Sequence, residues 1–234
     1  MLSLDLKAEQ NHLEISLDIT DGIAHIRFDD GKKNSFNLDA IQDLTAAFEE
    51  AEAGAQAIVL SGRPGSFCAG FHLPTMMGDD MDAIRALGLS GGRLALRMYQ
   101  CGKPLVAACT GHAFTIGCFW LLASDTRIGE NGRFKFSMIE TQVGMSFTPW
   151  SLTLFEAKLS KRHYTAAVVQ SKVYDPQGAV DAGFLDELVN EGESTAKALE
   201  AAAALAQFPA GAYAANKLAM RQDGIAVMKR DLGL

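Results

Sequence analysis

Cysteine is scarce in this chain, and it is not arranged for metal. The four thiols, Cys68, Cys101, Cys109 and Cys118, make no C-x-x-C and have no histidine at ligand spacing. No metal is therefore expected, and a reducing, cytoplasmic compartment is. Basic charge is also short, 21 Lys and Arg against 28 Asp and Glu, for a net charge of −7. That argues against duplex nucleic acid, which wants a basic patch. A small anionic ligand held by a few lysines and backbone N–H groups is still compatible. Long apolar runs are missing too. The most apolar stretch, 113–123, is far short of the roughly 20 residues that cross a bilayer and reads as a buried helix. No membrane association is expected. The start of the chain carries Asp5, Lys7 and Glu9 and no apolar signal region. With 48% apolar residues the chain does not have the composition of disorder. Its 234 residues suit one sizeable core with a small appendage.

The patterning that is present begins with alternation. Leu13, Ile15, Leu17 and Ile19 have period two, as do residues 23–28, and Asp21-Gly22 lies between them, which predicts a hairpin. Residues 38–53 have helical spacing through Ile41, Leu44 and Phe48, with Asn37 as the cap. Short buried strands are predicted at 57–60, 105–109 and 126–128. A Gly/Pro/Ser loop is expected over 61–70, and a helix over 81–100 interrupted at Gly88 and Gly91-Gly92. Gly111 is expected to lead into the apolar helix. Strands alternating with helices in this way predict right-handed crossovers and a parallel sheet. From Thr148 onward the pattern is almost wholly helical. The alanine run 201–204 lies in a helix over 194–207. The chain thus divides into an α/β core over 1–160 and a helical part over 161–234.

Two motif matches fail on context. Residues 65–70 have the glycine spacing of a P-loop, but Phe71 stands where the lysine is required. Gly88-Leu89-Ser90-Gly91-Gly92 matches G-x-S-x-G, yet helix rather than strand precedes it, so Ser90 is read as part of a flexible surface segment. The five histidines, His12, His25, His72, His112 and His163, are scattered.

Two other segments carry chemistry together. Ile58-Val59-Leu60 runs into a glycine-containing turn that ends Phe67-Cys68-Ala69-Gly70-Phe71-His72-Leu73. Leu105-Val106-Ala107-Ala108-Cys109 runs into Gly111-His112-Ala113-Phe114-Thr115-Ile116-Gly117-Cys118. Ligands collect at the carboxyl ends of such strands. The second turn enters a helix, whose first N–H groups have no intrahelical partner and whose dipole is positive at that end. Two such turns side by side can aim two N–H groups at one oxygen.

These segments resemble the crotonase superfamily, the enoyl-CoA hydratase/isomerase family. The family's F-C-A-G-x-D-L is matched by Phe67 to Leu73. Its lysine-proline strand running into a glycine-rich turn reads here as Lys103 to Cys118, with Gly111 and Gly117, and its strand opening on Asp as Asp125-Thr126-Arg127-Ile128. The likeness continues through Phe136 to Gly144 and Ala179 to Gly183, and covers Asn34 and Lys217. It implies an α/β fold, a spiral of ββα repeats with C-terminal helices that trimerise, giving a homotrimer or a dimer of trimers. It implies an acyl-CoA thioester as substrate, with no separate cofactor. The thioester oxygen would lie between the backbone N–H groups of Phe71 and Ile116, unless these are simply core residues.

Hydratases of the family carry two glutamates. Here the first position is Phe119 and the second is Glu140. Hydration divides its work well between two acids, whereas moving a double bond from carbon 3 to carbon 2 needs only one. The apolar neighbours Phe136, Met138, Ile139 and Val143 would raise the carboxyl pKa of Glu140. Gly144-Met145-Ser146-Phe147-Thr148-Pro149-Trp150 replaces the hydratases' P-G-x-G-G-T and looks more like the Δ3,Δ2-enoyl-CoA isomerase branch. Phe119 and Trp150 would then exclude water, or else serve only as core. His72 replaces the usual Asp, which leaves open whether it touches substrate. The resemblance further points to Lys33 (or Lys32 beside it), Ala69, Gly70, Leu73, Gly117 and Lys217 around CoA, with solvated lysines as the other reading of the lysines. Weak hydration, thioester hydrolysis, decarboxylation and silent acyl-CoA binding are the rival activities.

Overall fold

The computed structural model describes residues 13–234. His12 and the N-terminal segment read above for its lack of a signal lie outside the described residues. The hairpin forms as the alternation predicts. β1 (Glu14–Thr20) and β2 (Ile23–Asp29) pair antiparallel. Asp21 and Gly22 both take positive φ, the backbone that a tight two-residue turn requires. β3 (Ser35–Phe36) follows, then α1 (Leu38–Gly54), whose first turn is capped by Asn37 accepting from Ala40 N–H.

Where a loop was expected over 61–70, β4 (Ala57–Ser61) is followed by two further strands, β5 (Gly65–Cys68) and β6 (Gly70–Phe71). Their glycines and serine lack strand propensity, but pairing to distant partners supplies what propensity does not. α2 (Leu73–Met76) precedes α3 (Met81–Gln100), which runs through Gly88 and Gly91-Gly92 without a break. This is not a flexible surface segment. Gly91 and Gly92 are buried because neighbouring side chains occupy the space a Cβ would need: Phe71 and Ile116 at Gly91, Trp150 and Leu232 at Gly92.

The next turn repeats the plan. β7 (Leu105–Cys109) leads to β8 (Gly111–Phe114), and only then to α4 (Ile116–Ala123), so Gly111 opens a strand rather than the helix. β9 (Thr126–Glu130) and β10 (Phe136–Ser137) follow. A single 3-10 turn at Glu140–Val143 then leads to α5 (Pro149–Lys158), α6 (Lys161–Val168) and α7 (Pro176–Ala182). The C-terminal part is not wholly helical, because β11 (Glu187–Val189) pairs parallel to β9 before α8 (Ser194–Ala206) and α9 (Ala210–Asp231).

The sheet order shows the spiral. Strands β1-β2-β4-β7-β9-β11 form one sheet, parallel except for the first hairpin; β10-β8-β5 form a second, and β3-β6 a third. Successive turns place one strand in the large sheet and the next in a small one. Both faces of the large sheet are covered. Ala57, Val59, Val106 and Ala108 meet Ala198 and Ala202 of α8, whose small side chains allow close approach. Ile58, Leu60, Leu105 and Ala107 face the main core. Within that core Trp120 of α4 meets Phe36 edge-on at 4.6 Å and Phe28 at 6.4 Å. Such aromatic pairs contribute about 0.5–1.5 kcal/mol each beyond burial. They anchor α4 to β3, and through β3 to the strand that carries Phe71.

Candidate active site

The site forms where β6, the start of α4 and the end of β10 converge. β6 pairs parallel to β3, with Phe71 opposite Phe36. His72 N–H donates to Phe36 O at 2.8 Å. The alternation of a parallel ladder therefore turns the Phe71 N–H away from β3. Ile116 is the first residue of α4, so its N–H has no acceptor within the helix. The side chains of both residues lie over Gly91 of α3. A Cβ there would be 2.8 Å from Phe71 and 3.0 Å from Ile116, and only glycine leaves room. One thiol ties the two segments: Cys68 Sγ accepts from Gly70 N–H at 3.3 Å and from Gly117 N–H. Burial raises the Cys68 pKa to about 12, so the tie is made by a neutral thiol.

Glu140 reaches this place through β10. Phe136 and Ser137 pair with Ala113 and Phe114 of β8, and Thr115 N–H donates to Ser137 O at 3.2 Å. Three residues on, Glu140 opens the 3-10 turn. Its charge is felt at Cys118, in the first turn of α4. Oε2 of Glu140 is closed to solvent and has no hydrogen-bond partner. Burial lifts its pKa to about 7, opposed only by its own backbone N–H, and no charged neighbour contributes. This carboxyl is half neutral near physiological pH and becomes a strong base when ionised.

On α4, the residue after Cys118 belongs to an aromatic cluster. Phe119 is 3% exposed, and its ring centroid lies 4.8 Å from Trp150, 5.2 Å from Phe155 and 6.3 Å from Phe147. The position of the hydratases' first glutamate is thus filled by a phenylalanine in an apolar cluster.

The remaining predicted residues divide. Lys33 is exposed beside the turn, and its carbonyl accepts from Ala69 N–H at 3.0 Å and Ser66 Oγ at 2.6 Å. Asn34, buried at φ 60°, donates to Phe28 O, Ser66 O and Phe67 O, tying β2 to β5. His72 is half-buried, with Nδ1 3.0 Å from Thr75 Oγ1, and Leu73 is exposed on α2. Lys217 stands apart from the others and is not the solvated lysine of the alternative reading. It is 6% exposed, with Nζ 2.7 Å from Asp125 Oδ2 and 2.9 Å from Lys103 O. Asp125 opens β9, at the end of the strands opposite the site, so within this chain Lys217 clamps α9 to the sheet. Two contributors escaped the sequence reading, Gly91 and Thr115. Thr115 had a signal, since it lies directly before Ile116 in the G-x-x-x-G-x-G stretch, where the family has glycine.

Among the described residues no group of His, Cys, Asp and Glu is placed to hold a metal, and no helix is long and apolar enough to cross a membrane. All four cysteines are free and buried.

Comparison with known proteins agrees with this architecture. The family model for enoyl-CoA hydratase/isomerase matches residues 18–230. The chain is 29% identical over 205 residues to human mitochondrial enoyl-CoA delta isomerase 1, covering 86% of this chain and 68% of that protein. A crystal structure of an enoyl-CoA hydratase from Mycobacterium ulcerans superposes with a TM-score of 0.90 at 27% identity, covering 94% of this chain and 96% of that one. An enoyl-CoA hydratase/isomerase family protein from Pseudomonas syringae superposes with a TM-score of 0.89 at 32% identity, covering 94% and 95%. The fold is thus the crotonase spiral expected from the motifs, and the chain belongs to the enoyl-CoA hydratase/isomerase family.

Proposed function

We propose that this protein moves the double bond of a 3-enoyl-CoA to the 2-position, with Glu140 as the single acid/base. An isomerase and a hydratase match the chain at similar identity, 29% and 27%, so the choice rests on the site. The observation that carries it is one desolvated carboxylate, Glu140, together with a phenylalanine packed among aromatic rings, Phe119, at the hydratases' other acid position. Glu140 takes a proton from C2. The electron pair of that C–H bond passes into the thioester, whose oxygen is held by Phe71 N–H and Ile116 N–H as a dienolate. Glu140 returns the proton at C4, and the double bond now lies between C2 and C3. Phe119, Trp150 and Phe147 keep water from the intermediate. No cofactor enters, because CoA is part of the substrate.

The same reading includes assembly as a homotrimer or a dimer of trimers. Phe208, Leu218 and Met220, exposed on and before α9, give that assembly an apolar surface. In this reading Lys33, which is exposed, and the backbone at Ala69 meet CoA.

The test offers the protein trans-3-enoyl-CoA and trans-2-enoyl-CoA in parallel and follows the conjugated thioester absorbance. The expected result is a rise from the 3-enoyl substrate that is absent in Glu140→Gln. A fall from the 2-enoyl substrate at comparable rate would establish hydration instead.

A further inference from the structure

Two peptide N–H groups from different segments can serve one oxygen only if the backbone on either side of them is held. Phe71 and Ile116 are each flanked by two spent donors. Before Phe71, Gly70 N–H donates to Cys68 Sγ at 3.3 Å; after it, His72 N–H donates to Phe36 O at 2.8 Å. Before Ile116, Thr115 N–H donates to Ser137 O at 3.2 Å; after it, Gly117 N–H donates to Cys68 Sγ. Phe36 and Ser137 belong to separate strands, β3 and β10. Of the three acceptors, Cys68 Sγ alone serves both segments.

The seam around that sulfur has no slack. Cys68 is fully buried. A Cβ on Gly117 would be 2.6 Å from Cys68 Cβ and 3.1 Å from its sulfur, and one on Gly70 would be 2.3 Å from Thr115 Oγ1. Gly70 and Thr115 hold positive φ, 107° and 46°, and for the β-branched threonine that backbone is strained. The two segments thus touch, and the sulfur sits between them. A charged acceptor could make the same two bonds, but it would repel the negative charge that gathers on a substrate oxygen nearby. A neutral thiol holds both peptides without that repulsion.

We propose that Cys68 is a positioning residue for the oxyanion hole: its sulfur holds the Gly70 and Gly117 peptides together so that Phe71 N–H and Ile116 N–H converge on one oxygen. The proposal rests on the acyl-thioester reading above. Cys68 touches no substrate atom and acts through the two peptides. Donors fixed in advance need no reorganisation as charge develops, and a misplacement of about 1 Å can lower a rate about a hundredfold.

Three variants test this. Cys68→Ala removes the acceptor, and Cys68→Ser keeps one on a shorter arm. Cys109→Ala removes another fully buried thiol, whose sulfur donates to Gly111 O. Two readouts are taken beside urea unfolding. One is kcat and KM for a 3-enoyl-CoA, referred to folded protein. The other is the absorption of bound 2,4-dienoyl-CoA, which moves to the red when its carbonyl is polarised. Cys68→Ala is expected to lower kcat about tenfold to a hundredfold with KM little changed, and to lose much of the red shift. Cys68→Ser is expected to recover part of both while being no more stable than Cys68→Ala, because a buried hydroxyl is costly. Cys109→Ala is expected to lose stability but to keep kcat and the full red shift. Full kcat and a full red shift in Cys68→Ala, or a Cys68→Ser no better than Cys68→Ala, would overturn the proposal alone. So would an equal loss of red shift in Cys109→Ala, which would mark an effect of core packing. A wild-type protein that leaves the dienoyl spectrum unshifted would overturn the oxyanion-hole reading, and the proposal with it.

Discussion

Asp125 and Glu140 are two largely buried carboxylates that the protein treats in opposite ways. Asp125 is saturated. Oδ2 accepts from Leu105 N–H at 2.9 Å, Tyr213 Oη at 3.0 Å and Lys217 Nζ at 2.7 Å, while Oδ1 accepts from Arg221 at 2.8 Å. These bonds join the start of β9, the start of β7 and α9. Arg221 also stacks on Tyr99, 4.4 Å from the ring centroid. Lys158, close by, has its pKa pushed down to about 8 by burial and by Arg127 and Arg221. Oε2 of Glu140, by contrast, has no donor at all. A carboxylate whose oxygens are all occupied has no capacity left for chemistry and holds elements together. One left dry and unpartnered weakens the fold and is available to a substrate. The pair separates a saturated network at one end of the sheet from an unpartnered carboxylate oxygen elsewhere.

The sharpest way to break this comparison is to neutralise Glu140. Glu140→Gln is expected to lower isomerase turnover by about 10²–10⁴, the range for a lost general base. The variant should also be more stable, with a pH dependence of fixed sign. Glu140 has a pKa near 7 folded against 4.5 unperturbed. Its neutral form is favoured in the fold, so its contribution is fully present below about 4.5 and is lost as pH rises through about 7. Urea unfolding at pH 8 should therefore show the variant about 3 kcal/mol more stable than the parent, with the gap nearly closed at pH 4.5. Turnover of the parent should rise with pH through about 7, as the base ionises.

Asp125→Asn should do the reverse. It leaves Lys217 and Arg221 buried without their counter-charge, at a cost of about 3–5 kcal/mol in urea unfolding. Turnover of the molecules that remain folded should change by less than about twofold, because the network lies at the opposite end of the strands from Glu140. A large loss of kcat at unchanged stability would remove the distinction between the two carboxylates.

Motif order names Phe71, Ile116, Phe119 and Glu140, and the fold brings the segments of Phe71, Ile116 and Glu140 together; the roles given to them come from the family resemblance. Motif position names Lys217 but not its partner within the chain, Asp125, which is distant in sequence. The strands at 65–68 and 70–71 escaped because their pairing comes from β8 and β3, and no local pattern records it. Gly88 to Gly92 looked like a break for the same reason. Glycine spacing signals flexibility along a chain, but Gly91 is small because Phe71 and Ile116 occupy its space. The strain at Thr115 is likewise a property of assembled backbones.

A smaller change sharpens the account of the aromatic wall. Phe119→Leu keeps the site apolar but loosens its contacts with Trp150 and Phe155. It should cost about 1–2 kcal/mol, less than truncation to alanine. The 2-enoyl hydration rate should rise relative to isomerisation as water enters. An unchanged ratio of the two rates would make Phe119 a packing residue alone.

The central claim is that one dry carboxylate carries the proton from C2 to C4. The most direct measurement uses a 3-enoyl-CoA deuterated at both C2 positions, with mass spectrometry of the product in ordinary water. A shielded Glu140 returns the deuteron it removed, so a substantial fraction of product should carry two deuterons, one at C2 and one at C4. Product carrying a single deuteron throughout would mean that the C4 proton comes from water or from a second acid, and would contradict the account.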